Sequence, residues 1–191
     1  MAFSITDIRS NLQYGGARPT LFKVLITPPP GIGINLQRFS FFARATQLPA
    51  SDLGTIQVPY FGRKYKIAGD RTFAAWSTTI MNDEDFELRQ AVETWSYKIN
   101  SHEGNKHINM SSPADYKSTA EVYQYNKSGD IIRVYKFDGI YPETVSTIDL
   151  DWNSSDQIEE FSVTWQYDYF EVTDGDTGLL GRESIPEREI Q

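Results

Sequence analysis

The sequence predicts an α+β fold that is dominated by antiparallel β-sheet. Several segments rich in Thr, Val, Ile and aromatic residues are separated by Pro, Gly and polar turns, as strands of a sheet usually are. One segment, about 83–100, has a helical period, and residues 159–172 alternate between apolar and polar side chains. Strands before and after a single helix favour two packed antiparallel sheets that form a sandwich or a partial barrel.

Length and composition indicate one folded domain with extended ends. The chain has 191 residues, 39% hydrophobic and 14% aromatic, which is enough to bury a core and argues against disorder. A formal net charge of -8 argues against general binding to nucleic-acid phosphates and would repel an anionic membrane. Without Cys, neither a disulfide framework nor a thiolate zinc site is expected. Without a secretory signal or a membrane-length apolar segment, we expect a soluble protein made in a cytoplasm.

The first half of the chain contains an arm and the first predicted strands. Residues 1–19 are polar and glycine-containing and are predicted to be an N-terminal arm. Strands are predicted at 20–27, which ends before three prolines, and at 39–48, which ends before Pro49. A projecting hairpin is predicted at about 55–68 around Phe61-Gly62-Arg63, followed by a strand at 71–81.

The helix at about 83–100 has one apolar stripe. Its core face is predicted to consist of Leu88, Val92, Trp95 and Ile99, which recur at spacings of three and four residues. Asn82 is predicted to be the N-cap, and the three acidic residues that follow it suit the positive end of a helix dipole.

The second half of the chain is predicted to be mainly strand. Residues 118–126 and 130–138 flank Gly129 and form a hairpin, and a further strand covers 145–152. The last strand, 159–172, should bury one face. Residues 20–172 therefore form the domain, and 173–191 are predicted to be a C-terminal tail.

The sequence gives only weak evidence for a metal-binding or catalytic site. Asp149, Asp151, Asn153 and Glu160 occupy positions 1, 3, 5 and 12 of a calcium loop, but Ser154 replaces the glycine of the sharp turn and the flanks are strands. An ordinary junction between strands is the better interpretation. His102 and His107 lie in a polar loop, with too few partners for a zinc site. No catalytic constellation and no cofactor are predicted.

The predicted hairpin carries basic residues among aromatic ones, in an otherwise acidic chain. The residues concerned are Tyr60, Phe61, Arg63, Lys64, Tyr65, Lys66 and Arg71. They could bind nucleic acid, in which case affinity would fall steeply with salt, or they could form a joint between subunits. The net negative charge favours the joint.

Several stretches together are similar to one known family. They are "ARPTLFKVLI", "FFARATQLPASDLGTIQVPYFGRKYKIAGDRTF", "NDEDFELRQAVETW", "YPETVSTIDLDW" and "IEEFSVTWQYDYFE". Over residues 17–172 the chain resembles the tail tube proteins of T4-like contractile-tailed bacteriophages. The tubes of type VI secretion systems share the fold of this family.

The resemblance implies a structural virion protein. Members of this family form hexameric rings that stack into a hollow tube inside a contractile sheath. The genome passes through the lumen of the tube without specific binding. Implied partners are other copies of the chain, the sheath protein, the tape-measure protein and the baseplate, with assembly in the host cytoplasm. Alternatives are a baseplate tube-initiator, a non-viral injection or secretion tube protein, and, in a different class, a calcium-regulated binding module using 149–160.

Two hypotheses about sites follow. The polar face of the last strand is proposed to line the lumen and consists of Glu160, Ser162, Thr164, Gln166 and Asp168. The alternatives are that this face meets bulk solvent or that another strand lines the pore. Arg63 and Lys64 are proposed to pair with the acidic residues at 83–85 of a neighbouring subunit.

Overall fold

Antiparallel strands make up most of the computed structural model, which describes residues 5–12, 15–30, 32, 34–108 and 112–174. In chain order the elements are α1 (Ile5–Asn11), β1 (Phe22–Ile26), α2 (Phe39–Phe42), β2 (Ala43–Thr46), β3 (Ser51–Tyr60), β4 (Arg63–Phe73), β5 (Trp76–Met81), α3 (Glu87–Ile99), a 3₁₀ turn (Pro113–Asp115), β6 (Ser118–Tyr125), β7 (Ile131–Val145), β8 (Glu160–Gln166) and β9 (Tyr169–Asp174). The predicted fold class is confirmed: the sheets are antiparallel, α3 is the main helix, and β3 and β4 form a separate hairpin.

The long strand β7 joins the two halves of a seven-stranded sheet, in which six strands have the order β1-β6-β7-β8-β5-β2 and the seventh, β9, pairs with β7. Residues before Gly139 pair with β6 on one side and β9 on the other, whereas residues 141–145 pair with β8. The two sheets of the prediction are thus halves of one bent sheet. Trp76 of β5 stacks on Phe137 of β7 across the core, with ring centroids 4.4 Å apart.

The core is centred on Trp165 of β8, which is completely buried. Its ring lies 5.6 Å from the Trp95 ring of α3 and 6.2 Å from the Phe39 ring of α2. The Trp165 indole N–H donates to the Thr78 hydroxyl at 2.9 Å, which satisfies the polar end of a buried aromatic side chain. Of the predicted helix stripe, Leu88, Val92 and Trp95 are buried and Ile99 is partly buried, so α3 covers the inner face of the sheet.

Gly139 allows β7 to change partners. Its φ of +68° lies in the left-handed region, and a Cβ there would overlap the Asp168 carboxylate, which binds Lys117. We expect Gly139→Ala to lower the free energy of unfolding by about 1–3 kcal/mol, because both the backbone strain and the displaced Asp168 act on the folded state. Urea unfolding measures this. Gly104→Ala, at a loop glycine outside the left-handed region, is the control, and equal losses in the two variants would contradict the account.

The predicted strand at 39–48 is wrong in its first half. Phe39–Phe42 is a short helix, and only Ala43–Thr46 is strand. The Phe39 N–H donates to the Leu36 carbonyl, and Leu36 and Phe39 are both buried, so this segment follows a three-residue spacing. The predicted strand at 71–81 is likewise divided, because β4 ends at Phe73 and β5 begins at Trp76.

The start of α3 differs from the prediction. The helix begins at Glu87, after Phe86 with a left-handed φ of 53°, and Asn82 is therefore not its N-cap. The Asn82 side chain instead donates to the Glu159 carboxylate at 3.1 Å. The acidic residues predicted to lie in the first turn precede the helix, and Asp83 and Asp85 bind Arg38 instead.

The two predicted strands after β7 are also corrected. Residues 146–152 are not strand: the pairing with β8 ends after the Ser146 N–H donates to the Ser162 carbonyl, and the chain then turns at Asp151. The predicted last strand breaks at Asp168, whose N–H donates to the Asp138 carbonyl. Strands β8 and β9 consequently pair with β7 on either side of Gly139, and Tyr169 is 43% exposed instead of continuing the buried face. The described part of the predicted arm includes α1, and most of the predicted tail, from residue 175, lies outside the described residues.

Candidate assembly surface

The β3–β4 hairpin stands apart from the seven-stranded sheet as a two-stranded sheet of its own. Strand β3 has 10 residues and β4 has 11, so the hairpin extends about 30 Å at the usual rise per strand residue. Its residues are exposed from Asp52 to Ala68. Isolated two-stranded hairpins are marginally stable in water, so a covering partner would stabilise a projection of this length.

The two faces of the hairpin differ in chemistry. Ile56 lies opposite Ile67, and Val58 opposite Tyr65. We call this the apolar face; Tyr60 and Arg63 lie at its outer end. On the other face Gln57 lies opposite Lys66 and Pro59 opposite Lys64, which is polar and cationic. A hairpin with one exposed apolar face has the pattern of a docking element.

The tip of the hairpin presents an aromatic ring and two cations. Phe61 and Gly62 both have positive φ, 43° and 77°, as a tight turn between twisted strands requires. Phe61 is 91% exposed, and its ring lies at 4.7 Å from the Tyr60 ring in an edge-to-face contact. Arg63 and Lys64 follow directly. Arg71, by contrast, lies at the base of the hairpin, where it donates to the Ser51 hydroxyl at 2.9 Å, so the structure separates it from the tip.

The outer face of β5 and β8 is rich in hydroxyl groups. Ser77 lies opposite Thr164 and Thr79 opposite Ser162, with 3.2 Å between the Thr79 and Ser162 hydroxyls. We call these four residues the hydroxyl face. It is the side of β8 that was predicted to line the lumen, but its ends are less acidic than expected. Glu160 binds Arg44 at one end, Gln166 donates to Glu143 at the other, and Asp168 lies beyond the end of β8 and binds Lys117.

The acidic segment before α3 is bound within the same chain. The Arg38 guanidinium contacts the carboxylates of Asp83 at 2.5 Å, Glu87 at 2.9 Å and Asp85. The hydrogen bonds to Glu87, Asp85 and Asp83 raise the pKa of Arg38, and the Glu87 backbone N–H and then Arg38 lower the pKa of Asp85. Arg38 was not recognised in the sequence, because it is 45 residues from Asp83. Asp83 and Asp85 are therefore already paired within the chain, which weakens them as partners for Arg63 and Lys64 of a neighbouring subunit.

This contact predicts a local response to acid. Because folding lowers the pKa of Asp85 below its ordinary 3.8, its contribution to stability is complete above that value and is lost as the pH falls through the lowered pKa. We expect Arg38→Gln to raise the titration midpoint of Asp85 only part of the way to 3.8, since the Glu87 N–H remains. An NMR titration of the carboxyl carbons measures this, with Arg89→Gln as the control. An unchanged midpoint in Arg38→Gln would contradict the account.

The calcium-loop pattern does not assemble a metal site in the structure. Asp151 accepts from the Asn153 backbone and side-chain amides, and Glu160 binds Arg44. Within residues 5–12, 15–30, 32, 34–108 and 112–174, no group of three or more His, Asp or Glu residues could hold a metal ion. In the same residues, no helix has the length and apolar character that crossing a membrane requires.

Comparison with known proteins decides the family. The model of the phage tail tube protein family matches residues 17–173. The chain belongs to this family. Tail tube protein gp19 of Enterobacteria phage T4 is 39% identical over 169 residues, which cover 87% of this chain and 99% of gp19. The tail tube protein of Serratia phage KSP90 is 26% identical over 168 residues, 86% of this chain and 94% of that protein. The resemblance seen in the sequence is confirmed.

A solved structure shows the same fold. A chain of the sheath-tube complex of PVC, an extracellular contractile injection system in its extended state, superposes with a TM-score of 0.55. The match covers 91% of this chain and 99% of that one, at 12% identity. Family membership makes this chain a structural tail tube protein and not an enzyme.

Proposed function

We infer that this tail tube protein forms hexameric rings, and that the rings stack into the hollow inner tube of a contractile phage tail. The tube conducts the genome into the host. The observation that carries this proposal is the long β3–β4 hairpin, whose apolar face has no cover in the described chain. Six copies in a ring, and rings in a stack, provide the same cover for every hairpin, as closed and helical symmetry require.

Ring closure also accounts for the open end of the main sheet. Strand β2 is the last strand of the seven-stranded sheet and pairs only with β5 among the described residues. Exposed strand edges invite pairing with other chains unless a structure covers or closes them. A barrel that continues from subunit to subunit removes such edges, which supports a ring over an isolated monomer.

The hydroxyl face is the proposed lining of the lumen, together with Glu160 and Gln166. The opposite face of β5 and β8 is buried against the core, so this side remains for a pore wall. Hydroxyl groups offer weak, exchangeable hydrogen bonds, and the net charge of -8 repels phosphates. Both properties suit DNA that moves through a tube without being held. Asp168 is not part of this lining, because it lies in the turn between β8 and β9.

Three partners other than copies of the chain are proposed for the tube. They are the tail sheath protein around it, the tape-measure protein inside the growing tube, and the baseplate on which the tube starts. Support comes from family membership and from the fold shared with a chain of a sheath-tube complex.

Assembly of the purified chain tests the proposal. We expect the protein to sediment as a monomer or a small ring when dilute and to build hollow rods at high concentration or on a nucleating baseplate. Negative-stain electron microscopy and light scattering report this. Compact monomers that form neither rings nor rods under any of these conditions would overturn the proposal.

A further inference from the structure

A pocket of about 500 Å³ lies between the segment that follows β5 and the segment that precedes β8. Its apolar lining consists of Phe42, Met81, Phe86 and Ile158. Carboxylates from Asp83, Glu84 and Glu159 also line it, and no Lys or Arg does. We call this the rimmed pocket. It would suit an apolar or aromatic group that is next to a positive charge.

An unpaired buried polar atom belongs to a residue that lines the rimmed pocket. Asn82 lines the pocket and is 8% exposed. Its amide nitrogen donates to Glu159, but its Oδ1 atom is buried and has no hydrogen-bond partner within the described residues. Leaving a buried acceptor unpaired is costly, so a group that brings a donor, such as a cation, would be favoured here.

The hairpin tip has the complementary chemistry. Residues 55–67 include Arg63, Lys64 and Lys66 and no Asp or Glu, and Phe61 heads the turn. Phe61 is 91% exposed, so the tip does not fill the rimmed pocket of its own chain. A second copy of the chain can therefore supply the tip.

We propose that the hairpin tip of one subunit docks into the rimmed pocket of a neighbouring subunit. Phe61 enters against Phe86 and Ile158, and the Arg63 and Lys64 side chains meet Glu84 and Glu159. The contact rests on the proposed tube function and specifies where each hairpin ends. It replaces the pairing with Asp83 and Asp85 that the sequence suggested, because Arg38 already binds both carboxylates.

The contact is heterologous, since the tip and the rimmed pocket are different surfaces of one chain. Each subunit has one of each, so every subunit both inserts a tip and receives one. Unless two copies exchange tips reciprocally and close as a dimer, repetition of such a contact generates a ring or a helical stack. The two surfaces thus suffice for continued assembly in one direction.

Photo-crosslinking in assembled tubes tests the contact. We place p-benzoylphenylalanine at Phe61, which keeps an aromatic ring at the tip, and mix the protein with an isotope-labelled copy so that links between subunits are distinguished by mass. We expect links from position 61 to residues 81–86 or 157–159 of another subunit. The same probe at Tyr97 of α3 is the control and should not reach these segments. Tubes in which position 61 links elsewhere would overturn the docking site and leave the tube function standing.

Charge reversal is the second test and needs no probe. We expect Arg63→Glu with Lys64→Glu to raise the critical concentration for assembly about tenfold, because attraction at the pocket becomes repulsion. Adding Glu84→Lys to that variant should lower the critical concentration again, by about threefold or more. The matched controls are Lys106→Glu with Lys127→Glu, and Glu103→Lys as the added change, all at exposed loop residues.

Each outcome of the charge reversal is decisive. Recovery by Glu84→Lys but not by Glu103→Lys supports the docking site. Equal behaviour of the two added changes contradicts it, provided that the unmodified chain forms tubes. If the unmodified chain forms no tubes, the proposed function itself fails, which separates the two failures.

Discussion

Serine at Ile56, Val58 and Ile67 should leave the monomer folded and prevent tube assembly. The three side chains lie on the apolar face of the hairpin and make no part of the buried core. If a neighbour covers that face, each truncation removes roughly 1 kcal/mol of burial from every contact, or about 3 kcal/mol for each subunit. That corresponds to about a hundredfold weaker association at each step.

Sedimentation velocity and negative stain measure the loss, and circular dichroism verifies the fold. The control is a triple variant on the opposite face, with serine at Thr55, Gln57 and Ala68. It should assemble at a concentration within severalfold of the unmodified chain. Normal tubes from the apolar-face variant would show that this face is a solvated surface, and would remove the observation on which the proposed function depends.

Trp165→Ala should cost the monomer more stability than Gly139→Ala or any change at the hairpin. Trp165 is fully buried and its ring contacts Phe39, Trp76 and Trp95, so it connects β8 with β5 and with the helices α2 and α3. Truncation of a buried tryptophan costs about 3–5 kcal/mol, and this one also leaves the Thr78 hydroxyl without its donor.

Urea unfolding followed by circular dichroism measures the effect of Trp165→Ala. Trp152→Ala is the matched control, because Trp152 is fully exposed in the loop before β8 and its removal should change the free energy of unfolding by less than about 0.5 kcal/mol. Similar costs at the two tryptophans would mean that Trp165 is not at the centre of the core.

Local patterns were enough for the elements that depend on neighbours in sequence. The apolar stripe of α3 has helical spacing, and the β6–β7 hairpin has Gly129 in its turn with a positive φ, as expected. The facing residues of the β3–β4 hairpin follow from two-residue alternation on each side of Phe61 and Gly62.

Elements that depend on distant contacts were not predictable in the same way. The aromatic run at 39–42 has the composition of a strand, but Phe39 packs on Trp165 of the distant strand β8, and the segment becomes a helical turn. The break at Asp168 depends on a hydrogen bond to Asp138 and on the bend of β7 at Gly139. The alternation of residues within 159–172 contains no information on the hydrogen bond to Asp138 or on the bend at Gly139.

Of the two proposed contact surfaces, one could be predicted from the sequence and the other could not. The basic and aromatic composition of the hairpin tip was visible in the sequence. The rimmed pocket was not, because its lining comes from Phe42, from residues 81–86 and from 157–159, which only the folded sheet brings together. Likewise Arg38, far from the acidic segment in sequence, determines which of those carboxylates are already bound.

The most direct test of the central claim is a cryo-electron microscopy map of tubes built from the purified chain. The account predicts a hollow tube of stacked sixfold rings, with Ser77, Thr79, Ser162 and Thr164 facing the lumen and every β3–β4 hairpin covered by a neighbouring subunit. A solid filament, a ring without sixfold symmetry, or hairpins that project into solvent would contradict it.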